Sequence, residues 1–504
     1  MPLLSISEGL SGQARQRPEQ VALVHGAQGL TYAALDRRVD AAAHLLWYQG
    51  VRPGDRVATL LPNGLTAVEL LFAAARAGAV VVPLNPRSTE AELAHLLRDT
   101  GPKLVIGVPP ALEAARAVLP PCTALLPEAP DYVELRAQQP DAPFPAQAGE
   151  TAPWLIVYTS GTAGSPKGAQ RNQRSDYLMG LMLATAVGVG PGDVGLVQMP
   201  LFHINSIWVV TLSLCIGATC HLSASTRFQP GTMFAELVSS QATYSMFIPT
   251  MLGYLADGLE QGQLAGARLR VLMTSSAPLP VPLRDRLLKL LPQARIVELY
   301  GATEIGAVTL ALHDAGTPGG SIGFPLPGVR VRLLSPERRP VPLGEAGELF
   351  VESPLAMDGY FGRPEETEAV RAGSFLGVGD LARADAQGRL YLVDRVTDMI
   401  ITSGENVYPS EVESVLLGHP AVALAAVVGV ADARRGEAVA AAVVCREGAT
   451  VAAADLAALC RARLAPYKCP RSIAFVRELP LGVTGKVLRR KVREAWAQGA
   501  YTPA

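Results

Sequence analysis

The chain has 504 residues, a formal net charge of −1, 18% charged residues and 49% hydrophobic ones. That length argues for more than one domain, and the apolar content excludes global disorder. The absence of a basic block argues against a nucleic-acid partner, and the six scattered cysteines form no CxxC pair, so neither a zinc site nor a disulfide framework is indicated.

The first twenty residues, MPLLSISEGLSGQARQRPEQ, lack a basic segment followed by an apolar run and do not read as a signal peptide. Residues 30–106 alternate between two patterns. TYAALDRRVDAAAHLLWYQG reads as an amphipathic helix ending at Gly50, DRVATLL as a strand, AVELLFAAARAG as a helix and AVVVPLN as a strand. Such alternation predicts α/β architecture with buried parallel strands. The Pro-, Ala- and Gln-rich span 128–153 reads as a surface connection, and 154–320 resumes the α/β pattern. The apolar stretch 207–220 contains Thr211, Ser213 and Gly217, and is too short and interrupted to span a bilayer. From 325 to 394 the short strands VRVRLL, GELFVE and GRLYLV, separated by Pro/Gly turns, predict a β-rich subdomain. A boundary near 394–398 precedes the strands VALAAVVGV and AVAAAVVC and the helix VAAADLAALCRARLA, a small α+β domain. The expected division is 1–394 and 395–504. Cytoplasmic location is the default, with the cysteines reduced, and a homodimer is neither required nor excluded.

The densest chemical signal is YTSGTAGSPKGA at 158–169, entered from the apolar run 154–157. Thr159, Ser160 and Thr162 offer hydroxyls, Gly161 and Gly164 an unhindered backbone, and Lys167 a cation. That set suits a polyphosphate, although a lone Gly/Ser-rich loop is equally often a plain surface turn and the Walker spacing is absent. Three further blocks follow: ELYGATE at 298–304, DRVTDMIITSGENVYPSEVE at 394–413 and LGVTGKVLRR at 481–490. A GxGxxA match at 377–382 lacks the preceding strand and following helix of a dinucleotide fold.

In this order and at these separations the blocks resemble the adenylate-forming superfamily, and the GENVYPSEVE version is similar to CoA ligases of aryl, fatty or carnitine-type acids. The resemblance implies a large N-terminal domain of stacked α/β subdomains with a β-rich subdomain, and a small mobile α+β C-terminal domain. It implies a reaction in two halves: a carboxylate attacks the α-phosphorus of ATP to give acyl-AMP and pyrophosphate, then a thiol displaces AMP.

The same resemblance implies the roles. Lys167 and its loop hold the β- and γ-phosphates, with Ala163 where relatives carry Thr. Thr303 contacts the α-phosphate, Glu304 binds Mg²⁺, Tyr300 faces adenine and Gly301 backs the acyl pocket. Ser276, Ala277 and Pro278 of TSSAPL lie at the adenine, with Ser275 and Ser276 replacing glycines. Asp380 accepts the ribose hydroxyls, with Arg395 beside them. Lys486 bridges carboxylate and α-phosphate. His203, Asn205, Ser275, Met246 and Phe247 shape the acyl pocket, joined by Trp208 and Ile248; Trp208 and Phe247 read equally well as core. Ser403, Gly404 and Glu405 would line the pantetheine path, while Arg435, Lys468 and Arg471 lie where relatives hold CoA phosphates. Thr397 stands at the hinge, where Asp or Lys is usual.

The expected function is an ATP- and Mg²⁺-dependent carboxylate–CoA ligase acting on a small carboxylic acid. The alternatives are an acyl-AMP ligase that loads a carrier protein and a non-catalytic nucleotide-binding relative.

Overall fold

The computed structural model describes residues 4–119, 124–159, 166–225, 227–403, 405–432, 434–482 and 487–503. They form two compact units. One comprises Met1–Gly319, Gly323–Arg330 and Val351–Leu376, the other Gly320–Ile322, Val331–Phe350 and Gly377–Ala504.

The first unit is α/β, as the alternating pattern predicts. In one of its sheets the strands Arg295–Ala302, Val271–Thr274, Tyr244–Phe247, Val194–Val197, Thr219–Leu222 and Val21–His25 lie side by side in that order, all parallel. Antiparallel strands flank this parallel run on each side, Gly306–His313 and Gln28–Thr31. Val271–Thr274 and Tyr244–Phe247 are buried throughout, their polar members Ser245 and Thr274 included, so neither shows a solvent-facing alternation. A seven-stranded sheet runs in the order Gly359–Tyr360, Lys167–Asn172, Pro153–Thr159, Val80–Pro83, Arg56–Leu60, Leu104–Gly107, Ala124–Pro127. Within it Pro153–Thr159 and Lys167–Asn172 are an antiparallel pair whose register ends at Thr159 opposite Lys167.

In the second unit Phe375–Ala384 pairs antiparallel with Leu390–Arg395. Its C-terminal sheet orders Glu405–Val407, Ile400–Thr402, Gly436–Cys445 and Val422–Asp432, with Ser472–Phe475 parallel to Gly436–Cys445. Side chains alternate across the pleat. Val427, Val439, Ala441 and Val443 pack with Val412, Leu416, Leu456 and Cys460 of two helices, Pro409–Leu417 and Ala453–Arg463. Ala426, Val428 and Ala442 face the other way, onto Val492 and Trp496 of Arg489–Ala497. Both faces being covered explains why these strands carry no polar side chain between 422 and 430 or between 438 and 445.

The span 128–153 is not merely a surface connection. It contains the helical segments Glu128–Tyr132 and Val133–Ala137, and Tyr132 is fully buried. The reason is a buried carboxylate. Glu69, wholly inaccessible on the helix Leu65–Ala77, accepts from the Tyr132 hydroxyl and pairs with Arg38 at 2.7 Å and Arg136 at 2.8 Å. An ionised group that far from water must be neutralised by partners. The Pro/Ala/Gln composition of this stretch carries no trace of that demand, which arises about sixty residues upstream.

Removing one side of such a buried pair costs about 3–5 kcal/mol, because the partners are left uncompensated. Glu69→Leu is therefore expected to lower the thermal midpoint strongly and to release 128–137 from Tyr132 outward. Calorimetry with limited proteolysis checks this; unchanged cleavage in 128–137 would show that Glu69 does not anchor it.

Candidate active site

In the first unit most of the candidate residues follow from one geometric fact. Four neighbouring parallel strands, Arg295–Ala302, Val271–Thr274, Tyr244–Phe247 and Val194–Val197, end on the same edge of the sheet. Their C-terminal ends deliver Tyr300 to Glu304, Ser275 to Pro278, Met246 with Phe247, and the segment leading to His203 and Asn205. Ligands of open α/β sheets bind at this edge.

Thr303 and Glu304 sit at the tip of a tight hairpin in which Gly301 pairs with Ala307 and Ala302 with Gly306. A Cβ on Gly301 would stand 2.2 Å from the Gly306 carbonyl oxygen, so the hairpin closes only with glycine there. The Glu304 carboxylate is 9% exposed and accepts from Thr159 Oγ1 and from the Tyr360 hydroxyl, each at 3.1 Å. Its main-chain carbonyl accepts from Met357 N at 2.8 Å. Two distant segments, at 159 and at 357–360, thus converge on Glu304.

Thr159 and Lys167 face each other across the strand pair that closes the phosphate-type loop. Ser160, Gly161, Thr162 and Gly164 of that loop lie outside the described residues. Lys167 Nζ is 2.6 Å from Glu366 Oε2 and 5.1 Å from the centre of the Tyr360 ring. The Lys167 ammonium beside it, helped by Arg363, holds the Glu366 carboxyl below the usual range.

Beyond Glu304 a space of about 210 Å³ is lined by Met179, Asn205, Trp208, Met246, Ser275, Leu299, Tyr300, Gly301 and Ala307. A second space of about 190 Å³ shares Asn205 and Met246 and is otherwise lined by Leu196, Val197, Gln198, Met199, Ser206 and Val209. No lining residue carries a charge. Asn205 Nδ2 donates to Ser276 Oγ at 2.9 Å. Ser276 has φ 76°, the left-handed region that favours glycine. The TSSAPL segment is pinned from ELYGATE itself: Glu298 accepts from Leu279 N at 3.0 Å and contacts His313 Nε2 at 2.9 Å. Ala277 is half-buried and Pro278 exposed.

His203 precedes the buried helix Ile204–Ile216, its ring 4.5 Å from that of Phe202. Burial pulls its imidazole down to about 4, and its Nε2 is buried with no hydrogen-bond partner. Phe247 lines neither space. It is fully buried in a core cluster with Leu196, Met251 and Leu272, with Ile248 packed against it. Trp208 does line the larger space, and its indole N–H donates to Asp176 at 3.0 Å.

The remaining candidates belong to the second unit. Asp380 and Arg395 are opposite each other in register, Oδ1 to Nε at 2.8 Å. Thr397 is exposed in the turn that follows. Ser403, at φ 54°, donates its N–H to the Arg435 carbonyl at 2.9 Å, and Glu405 opens the strand after it. Lys468 pairs with Glu411 at 2.6 Å, and Arg471 joins the strand edge through Val439 O. Gly404 and Lys486 lie outside the described residues.

Family models agree with this layout. That of the AMP-binding enzyme matches residues 10–361, and that of the AMP-binding enzyme C-terminal domain matches 411–486. The chain belongs to the AMP-binding enzyme family. This AMP-binding enzyme is 38% identical over 484 residues to a feruloyl-CoA synthase of Amycolatopsis sp, covering 95% of the chain and 97% of that protein. It is 33% identical over 513 residues to the fatty acid–[acyl-carrier-protein] ligase ScoC of Streptomyces coeruleorubidus, covering 99% and 98%. The crystal structure of ATP-bound MatB from Rhodopseudomonas palustris superposes with a TM-score of 0.90 at 29% identity, covering 98% of this chain and 99% of that one. The enzyme class is that of AMP-forming acid–thiol ligases, as the motif blocks imply.

Tyr360 and Glu366 are the site residues that motif reading missed. Gly359–Tyr360 is a strand of two residues, below the length at which periodicity registers, and only its pairing with Ala169 and Gln170 brings the ring to Glu304.

His203 yields a pH dependence. A base whose folded pKa lies below its unfolded value near 6.5 takes up its proton more readily when unfolded. Its contribution to stability is thus complete above about pH 6.5 and falls as pH drops toward 4, by up to ~3 kcal/mol. His203→Gln should flatten the fall of the thermal midpoint between pH 6.5 and 4; an unchanged slope would mean that His203 titrates normally.

Proposed function

We propose that this enzyme is an ATP-dependent carboxylate–CoA ligase for an acid whose tail carries no charge, an aryl or short apolar acid. One observation carries the choice of acid: among the described residues, the space that Trp208, Ser275 and Tyr300 help to line presents apolar and neutral polar side chains only. A dicarboxylate or sulfonate would be buried there without a cation, and a betaine without an anion, either of which is costly. An aromatic cage for a cation is also disfavoured, because the Arg171 guanidinium already lies 5.4 Å from the centre of the Trp208 ring. The relative named feruloyl-CoA synthase fits this reading.

The carboxylate oxygen attacks the α-phosphorus, the bond to the β,γ-pyrophosphate breaks, and the thiol of CoA later displaces AMP from the acyl carbon. Lys167, Thr159 and the intervening loop would take the β- and γ-phosphates. The Lys167–Glu366 pair is partly solvated and worth at most about 1 kcal/mol, so a triphosphate can displace Glu366 at little cost. Thr303 would meet the α-phosphate. Glu304 is a single carboxylate among hydroxyl donors, and no group of three metal ligands occurs among the described residues. That fits Mg²⁺ arriving with ATP, not a resident metal cage. Mg²⁺ there would neutralise phosphate charge. Asp380 would hold the ribose hydroxyls with Arg395, Tyr300 and 276–278 the adenine, and Lys486 the carboxylate and α-phosphate together. Rotation about Thr397, at the 394/395 boundary, would exchange Lys486 for Gly404 and the CoA residues Ser403, Glu405, Arg435, Lys468 and Arg471. No helix among the described residues is long and apolar enough to cross a membrane.

A second acceptor is supported by the ScoC relative: a carrier-protein phosphopantetheine in place of CoA. Saturation by a carrier protein at concentrations where CoA fails to saturate would establish it.

Pyrophosphate release is expected with cinnamate-like, benzoate-like and short to medium apolar acids, and at least tenfold less with succinate-like, sulfonate or betaine acids. A charged acid turning over best would refute the neutral-tail reading.

Lys486→Ala should lose about 10²–10³ in acyl-AMP formation, the effect of removing one charge-assisted contact from a dry site. The same variant should still make thioester from synthetic acyl-AMP and CoA at nearly the normal rate. Single-turnover measurement of both halves decides it, and equal loss in both would assign Lys486 to structure.

A further inference from the structure

Four residues beyond Lys167, on the same strand, stands an arginine that no motif singles out. Arg171 is wholly inaccessible to solvent. Its counter-ion Asp176, on the helix Gln173–Val187, is equally buried and accepts from Arg171 Nε at 2.8 Å and Nη2 at 2.7 Å. Two indoles complete the carboxylate's shell: Trp154 Nε1 at 2.9 Å and Trp208 Nε1 at 3.0 Å. Two further guanidinium donors go to main-chain carbonyls, Nη1 to Thr303 O at 2.7 Å and Nη2 to Leu355 O at 2.8 Å.

A buried ion pair is weak evidence for stability, since a well-packed apolar pair of similar volume is often as good. What an apolar pair cannot do is fix directions. The guanidinium is a rigid planar fork of five donors. Here it addresses a helix, the hairpin tip and the segment 351–357 at once. Both carbonyls that it holds bear on Glu304. Thr303 O belongs to the peptide unit that enters Glu304, and Leu355 lies two residues before Met357, whose N–H donates to Glu304 O. On the same strand pair Tyr360 stands opposite Ala169 and donates to the Glu304 carboxylate. The strand that carries Lys167 is thereby fastened to Glu304 from two sides.

We propose that Arg171 is a positioning residue for acyl-AMP formation: it sets Thr303 and Glu304 relative to the Lys167 strand, and so places the triphosphate against the incoming carboxylate. This rests on the ligase reading above. A displacement near 1 Å at a reacting centre can cost about 10²-fold in rate, and only the first half-reaction uses these groups together.

Three variants test it: Arg171→Lys, which keeps a cation without the fork; Arg171→Met; and Arg171→Met combined with Asp176→Asn, which removes both buried charges while leaving an acceptor for one of the two indoles. The double variant is expected to melt close to wild type, because no buried charge is left unpaired. All variants that fold should form acyl-AMP about 10- to 100-fold more slowly in single turnover and need more Mg²⁺ for half-maximal rate. Each should convert synthetic acyl-AMP and CoA to thioester within about twofold of wild type, since 1 Å precision at the triphosphate is not needed there. If Arg171→Met alone does not fold, Arg171→Lys and the double variant carry the test. Equal loss in both half-reactions, an unchanged magnesium profile, or wild-type adenylation by the stable double variant would each overturn the proposal. Failure of the wild-type enzyme to release pyrophosphate with any acid would instead strike the ligase reading.

Discussion

Parallel strands all end on one edge of their sheet, and whatever follows them is gathered there whether or not it is close in sequence. In this enzyme the ends of four adjacent strands bring together segments beginning near residues 198, 246, 275 and 300. The core beneath that edge is apolar. The chemistry is therefore built on the exit side of a rigid support. A tight hairpin at its border, permitted only by the missing side chain of Gly301, supplies Glu304, a buried acidic group among the candidate phosphate contacts.

Charge is placed sparingly along this edge. Glu304 meets only hydroxyl donors, and Lys167 is satisfied by a surface carboxylate rather than by a buried one. Paired with each other inside the protein, the two would be hard to part. Kept apart, each remains available to a ligand that carries both negative oxygens and a cation. The deeper charges, Arg171 with Asp176 and Glu69 with Arg38 and Arg136, are instead fully satisfied and serve geometry.

How much of this could be read from the residues alone depended on the range of the interaction. The alternation in 30–106 and the apolar strand before Thr159 are local patterns, and they stand as expected; the strand Lys167–Asn172 that pairs with it was not foreseen. The motif blocks pointed to the right family because chemistry on phosphates demands particular residues at short spacing. Tyr360, Glu366 and Arg171 were invisible because each acts on something more than fifty residues away, and neither a two-residue strand nor a lone arginine perturbs any local period. Tyr132 escaped for the same reason, its partner lying on a different helix. Phe247 shows the converse: proximity in sequence to Met246 gave no information on which face of the strand it would take, and the alternation of the pleat sent it into the core.

Ser276 carries a consequence for how this segment can change. Its backbone is held where an L-residue is strained by roughly 1–2 kcal/mol, and the side chain that makes it strained also accepts the bond from Asn205. The two residues are therefore not independent sites. Replacing Asn205 alone leaves the strain with nothing to offset it, whereas a glycine at 276 removes the strain but leaves an amide without its acceptor. A lineage, or a library, that explores these two positions one residue at a time meets a loss at either first step. Change here is more accessible to paired substitutions at 205 and 276 than to any sequence of single ones.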